Sequence, residues 1–199
     1  MESVFNLNEQ QENLGSKIII GLEKISEAFK AMLWEHAKVV GLSPIQIQVL
    51  IFLAYHNEKL CNVSYLSKEF NVTKPTMSDA VKVIHEKKLI SKTPSSVDSR
   101  SYSIQLTRKG KKIVDETEHF TSPLKKQLEN TSSSEQKNLF ESITKLIYGL
   151  NKTGVISVQR TCFGCSFYYK NGEKHYCTFL QKPLSDSEIR LDCPEYEVA

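Results

Sequence analysis

The sequence predicts a mainly α-helical protein with one small β-wing and a short cysteine-rich unit at its C-terminal end. Three observations lead there. Apolar residues recur at helical spacing over long stretches near both ends of residues 17–152. Between them, two short capped segments joined by a tight turn precede a single strand–turn–strand pattern. Four of the five cysteines, Cys162, Cys165, Cys177 and Cys193, fall in the last 38 residues. A chain of 199 residues, 40% hydrophobic and 25% charged, suits one folded core with a small second unit and excludes a disordered or collagen-like chain.

The elements follow in order. Residues 1–16 are polar and read as a frayed arm. From Lys17, the positions Ile18, Leu22, Ile25, Phe29, Met32 or Leu33, and then His36 form one stripe of a helix that Gly41 ends. Ser43-Pro44 is an N-cap followed by proline at the first helical position, so Ile45 to Tyr55 reads as a buried helix, although Ile45–Val49 alone would also suit a strand. Asn62 caps a short helix over Val63–Phe70. Thr73 caps the next, in which Met77, Ala80, Val81 and Ile84 face inward and Pro75, Asp79, Lys82 and Glu86 face outward. Leu89–Thr93 and Tyr102–Leu106 are the arms of a hairpin. A long polar helix is expected over 108–128, and after a break at 130–134 a last helix carries Leu139, Ile143, Leu146 and Leu150. Asn151–Gly154 marks a boundary, and 155–199 forms the cysteine-rich extension.

Charge is concentrated. Residues 61–112 carry +7, while the flanking stretches carry −2 each, within a net charge of +3. A positive segment of that size suits a partner carrying phosphates. The longest apolar run, Val49 to Tyr55, is far short of the roughly 20 residues of a membrane helix, and the N-terminus lacks a signal-peptide pattern. No membrane partner and a cytoplasmic location are therefore expected.

Two short helices, a turn and a two-stranded wing make a winged helix-turn-helix. At this point the chain resembles the MarR family of bacterial transcription regulators, through LSKEFNVTKPTMSDAVKVIHEKKLI and the wing VDSRSYSIQLTRKG, with Asp98, Arg100 and the exit Ile104-Gln105-Leu106-Thr107-Arg108-Lys109-Gly110. The resemblance covers roughly residues 17–152. It implies a homodimer joined through the first and last helices, which the apolar stripes suit, and a regulator that binds double-stranded DNA at a pseudo-palindromic operator without catalysis. It also implies a small-molecule effector between platform and DNA-binding lobe, where Phe29, Trp34, His36, Tyr55 and His56 are candidates. The alternatives are a winged-helix protein-interaction module and a thiol or iron–sulfur redox sensor.

The candidate DNA contacts follow from chemistry. A capped helix N-terminus with small polar residues and a basic residue one turn on suits phosphates and base edges, and Thr73, Lys74, Thr76, Ser78, Asp79 and Lys82 provide it. Arg100 suits the minor groove, with Asp98 stiffening the turn. Ser64, Ser67, Lys68, Lys92 and Arg108 are candidate phosphate anchors.

In the tail, Cys162-x2-Cys165 is a knuckle that places two thiolates on one metal, and Cys177 and Cys193 complete a tetrahedron for zinc. An iron–sulfur cluster is the alternative, partly because of Cys193-Pro194. His175 is a substitute ligand, and Arg160 and Lys174 are candidates to offset the charge of the centre. A metal would supply folding energy that so small a unit lacks. Its position after the last helix suggests a brace for the dimer platform. Cys61 reads as a buried small hydrophobe.

Overall fold

The computed structural model describes residues 3–94, 102–172 and 174–199. Helix α1 (Leu7–Glu12) is capped by Asn6, and α2 (Leu14–Val40) is capped by Asn13, whose side chain accepts from the Ser16 N–H. The frayed arm is therefore corrected for residues 7–16: two asparagine caps satisfy the orphan N–H groups of two helix starts. Gly41, with φ at +63°, ends α2 in the left-handed conformation.

Helix α3 (Pro44–Tyr55) begins at a capping box of Ser43 and Gln46 and is apolar on most sides, because it runs through the centre of the core. The helical reading of Ile45–Val49 holds. Helices α4 (Val63–Glu69) and α5 (Lys74–Glu86) follow, capped by Asn62 and Thr73. Ile47, Val49, Leu50, Leu66, Met77, Val81, Ile84 and Ile104 are wholly buried together. Lys88 adopts φ +60° after α5 and lets the Leu89 N–H reach back to the Ile84 carbonyl at 2.9 Å. This turn buries Leu89 and starts the strand one residue later than expected.

Strands β1 (Ile90–Pro94) and β2 (Tyr102–Leu106) pair antiparallel, with Ile90 opposite Leu106 and Lys92 opposite Ile104. The wing root is pinned to the loop after α3. Ile104 N–H donates to the Cys61 carbonyl at 2.8 Å, and Glu58 accepts from Ser103 and Gln105.

The expected long helix over 108–128 is corrected to two. Helix α6 (Arg108–Thr117) gives way to a 3-10 turn over Glu118–Thr121, and α7 (Ser122–Glu129) then restarts with proline in its first turn. Pro123 has no N–H to donate and would clash with the carbonyl four residues back, so an unbroken α-helix is barred there. Helix α8 (Ser133–Lys152) opens with a Ser132–Glu135 capping box.

Ile18, Ile19, Leu22, Ile25 and Phe29 on α2, and Leu139, Leu146 and Leu150 on α8, remain exposed. Among the described residues, no single helix is long and apolar enough to cross a membrane.

The tail forms a three-stranded antiparallel sheet of β3 (Tyr168–Asn171), β4 (Lys174–Cys177) and β5 (Lys182–Leu184), preceded by a 3-10 turn over Cys162–Gly164. Gly172, at φ +59°, lies between β3 and β4, where the sequence calls for a hairpin return.

Candidate functional site

Helix α5 presents one buried and one open side. Met77, Ala80, Val81 and Ile84 pack into the core, so the 3.6-residue repeat leaves Thr73, Lys74, Thr76, Ser78, Asp79 and Lys82 exposed. The Thr73 hydroxyl accepts from the Thr76 N–H at 3.2 Å and pairs with the Thr76 hydroxyl at 2.8 Å, which fixes the start of the helix. The N-terminal end of the helix dipole is thus open, with the exposed Lys74 beside it in the first turn, where a phosphate would be stabilised.

The other candidates divide. Ser64, Lys68 and Arg108 are exposed. Ser67 is corrected: it is 4% exposed, and its hydroxyl donates to the Ser64 carbonyl at 3.0 Å, so it is a piece of the α4 interior and no phosphate anchor. Lys92 is half-buried, with its ammonium 4.6 Å from the centre of the Tyr102 ring. Lys109, next to Arg108, donates to the Lys87 carbonyl at 3.2 Å. Asp98 and Arg100 lie outside the described residues.

The five effector-pocket candidates do not share one cavity. Phe29 and Trp34 line a cleft of about 570 Å³ with Ser26, Lys30, Pro44 and Gln48. Tyr55 instead bonds to Glu118 across the core edge. His56 stacks on Phe52 at 3.7 Å and belongs to a different network.

That network joins the tail to the helix-turn-helix. Arg160 is 8% exposed and donates to Glu69 on α4 at 2.7 and 3.2 Å, to the Tyr65 hydroxyl at 2.5 Å, and to Asp192 at 2.5 and 3.0 Å. His56 closes the ring through Asp192 at 2.8 Å. Burial works against the charges of Arg160, Asp192 and His56, but their pairing outweighs it. Hydrogen bonds from His56 and Arg160 hold the Asp192 carboxyl well below the usual range, and Asp192 raises His56 above its ordinary value. Asn71, at φ +51° in the turn between α4 and α5, donates to the Val155 carbonyl at 3.3 Å and accepts from Ser157 at 3.0 Å.

The tail also touches α8, where Lys137 pairs with Asp186 at 3.1 Å and Phe140 packs on the small core. The tail therefore docks on the helix-turn-helix as well as on the last helix, the one docking site that the sequence suggested. Arg160 is also corrected as a charge offset for the cysteines, because its guanidinium is committed to Glu69 and Asp192.

All four tail cysteines are free thiols that line one small cavity. Burial pushes the Cys162 thiol up, and the nearby Cys193, Cys165 and Cys177 push in the same direction. Gly164 is required in this knuckle: an added Cβ would stand 2.1 Å from Gln159 Nε2 and 3.2 Å from the Tyr196 hydroxyl oxygen. His175 has both ring nitrogens engaged, Nδ1 with the Tyr168 hydroxyl at 2.6 Å and Nε2 with Asp186 at 3.1 Å. Among the described residues, no three His, Cys, Asp or Glu side chains are set, as they stand, to hold a metal ion.

The sequence did not mark His56 as a docking residue or Asn71 as more than a turn residue, and it did not single out Tyr65, Glu69, Arg190 and Asp192. The pairs that join α4 and the turn after it to the tail lie 84 to 95 residues apart, and no local pattern marks them.

Residues 40–101 match the MarR family model. A DNA complex of Staphylococcus aureus MepR aligns with a TM-score of 0.57 at 24% identity, covering 65% of this chain and 94% of that one. MepR in its DNA-binding conformation gives 0.60 at 22% identity, covering 67% and 98%. A MarR transcriptional regulator from Methanosarcina mazei Go1 gives 0.60 at 18% identity, covering 68% and 97%. These likenesses establish the winged-helix fold. No curated protein matches the chain significantly.

Proposed function

We propose that this chain, whose residues 40–101 match the MarR family model, is a DNA-binding transcriptional regulator that works as a homodimer on a pseudo-palindromic operator. The observation that carries the reading is α5. Its capped, positive N-terminal end and its polar residues Thr73, Lys74, Thr76, Ser78, Asp79 and Lys82 stand open on the side away from the core. That helix fits the major groove, with the basic surroundings attracting phosphates. A similar fold is seen in the MepR–DNA complex.

The exposed stripes on α2 and α8 support the dimer. A two-fold pairing would cover Ile18, Leu22 and Ile25 together with Leu139, Leu146 and Leu150, which would otherwise face water. Such a dimer offers two recognition helices to half-sites about 34 Å apart. The cleft beside Phe29 and Trp34 would hold a small apolar effector at the edge of the platform.

Selection of bound duplexes from a random pool tests the operator, and sedimentation tests the dimer. The expected results are inverted half-sites about one helical turn apart and a dimer at micromolar concentration. Recovery of asymmetric sites only, or a monomer, would overturn the reading. Leu22→Glu should split the dimer, because it places a charge in the centre of the stripe.

A further inference from the structure

The tail is ordered around very little. Its buried core is Cys162, Leu184 and Ile189, edged by Phe140, Phe163, Tyr168 and Cys177. So few apolar side chains cannot offset the conformational entropy of ordering the whole segment. Cys162, Cys165, Cys177 and Cys193, from separate stretches of this unit, all line one small cavity of about 20 Å³, large enough for a small ion if the sulfurs close on it. Arg190 serves two of them: its backbone N–H donates to Cys162 Sγ at 3.3 Å, and its guanidinium reaches Cys193 Sγ at 3.7 Å. Donors aimed at sulfur stabilise thiolates far more than neutral thiols. With both His175 nitrogens engaged elsewhere, the donor set is four sulfurs.

We propose that Cys162, Cys165, Cys177 and Cys193 close on one zinc ion, and that this centre sets the grip of the tail on α4 of the helix-turn-helix. On binding, the four thiols lose four protons and form four Zn–S bonds of about 2.3 Å, which draws the sulfurs inward from the cavity wall. The product carries a net charge of −2, and Arg190 faces it. With four protein ligands the centre is closed and structural, so no hydrolytic chemistry follows.

The coupling lies in two adjacent segments. Arg160 and Asp192 form a parallel bridge, Cys193 N–H donates to the Arg160 carbonyl at 3.1 Å, and Cys162 N–H donates to the Arg190 carbonyl at 3.1 Å. Cys162 and Cys193 face the cavity, while Arg160 and Asp192 reach His56, Tyr65 and Glu69. An ion that locks the cysteines also locks this clasp, and losing it frees both. The effect on DNA rests on the regulator reading above; the effects on metal content and on α4 do not.

The test uses the full chain, purified with reduced thiols and without chelators. Metal analysis should find one zinc per chain. Stripping the zinc should lower amide-exchange protection in residues 155–199 and also in 63–72, and should weaken binding to the selected duplex about tenfold. Cys177→Ser should lose the zinc and both sets of protection. Arg160→Gln should keep the zinc and lose protection only in 63–72. A reduced protein that neither carries nor takes up zinc, or a brown one holding iron and acid-labile sulfide, overturns the site. Equal protection of 63–72 in the loaded, stripped and Arg160→Gln forms overturns the coupling. If the loaded chain shows the expected exchange pattern but binds no duplex, the site and clasp stand and the DNA-binding reading falls.

Discussion

Gly110→Ala isolates one contact that holds the wing to the helical lobe. Gly110 lies in the first turn of α6, and a Cβ built there would stand 2.0 Å from the Leu89 carbonyl oxygen and 3.0 Å from its carbon. Those atoms are main chain and are held from both sides. Leu89 N–H donates to Ile84, and the Leu89 carbonyl accepts from the Thr107 N–H at 3.0 Å. Relief therefore requires α6 and the root of β1 to move apart by about 1 Å or more. Overpacking of this kind costs about 1–3 kcal/mol, and losing the Thr107–Leu89 hydrogen bond adds about 1 kcal/mol. Alanine returns about 1 kcal/mol through its higher helix propensity. The net destabilisation is about 2 kcal/mol, which lowers the urea midpoint by about 1 M for a slope near 2 kcal/mol/M. Lys112→Ala, an exposed position on the same helix, serves as the control and should stay within about 0.5 kcal/mol. A Gly110→Ala midpoint equal to or above the parent, measured in the same metal state, would refute the steric account.

Three further outcomes follow from the geometry. Lys92→Ala should weaken all duplexes alike and lower the salt slope by about 1 if its ammonium leaves the Tyr102 ring for a phosphate, whereas an unchanged slope would confine it to the wing. His56 has its pKa raised in the folded protein, so its contribution to docking is present below about pH 6.5 and is lost as pH rises through the folded value. The groups facing it are Asp192 and Arg160, and His56→Gln should flatten the pH dependence of tail exchange protection; an unchanged profile would remove His56 from the clasp. Cys61 is 2% exposed and its thiol is pushed up to about 11 by burial, from 9.0. Its alkylation at pH 8 should therefore run roughly 100-fold below an ordinary thiol, and a rate equal to free cysteine would show that it is open to solvent.

Local chemistry was legible in the sequence wherever a short-range rule governs it. The caps Asn62 and Thr73, the Ser43-Pro44 start of α3, the inward stripe of Met77, Ala80, Val81 and Ile84, and the hairpin at Gly172 all rest on interactions within a few residues. The outward face of α5, and with it most of the candidate DNA contacts, follows from the same helical repeat. Two local signals were present but misread, the Asn6 and Asn13 caps and the break at Pro123.

Tertiary packing decided what no local rule contains. Ser67 is polar and lies on a short helix, yet the fold buries it and spends its hydroxyl on Ser64. Lys88 takes a left-handed conformation without being glycine, because that turn lets Leu89 enter the core. The Gly110 requirement comes from a carbonyl 21 residues away in the chain. Above all, the cysteine spacing pointed to a small unit, but only the fold placed Arg160 among Glu69, Tyr65 and Asp192 and so carried that unit onto the helix-turn-helix. The physical reason is range. Capping and amphipathic periodicity act between neighbours in sequence and are written there, whereas a buried charge finds partners through the path of the whole chain, and that path exists only once the core has formed.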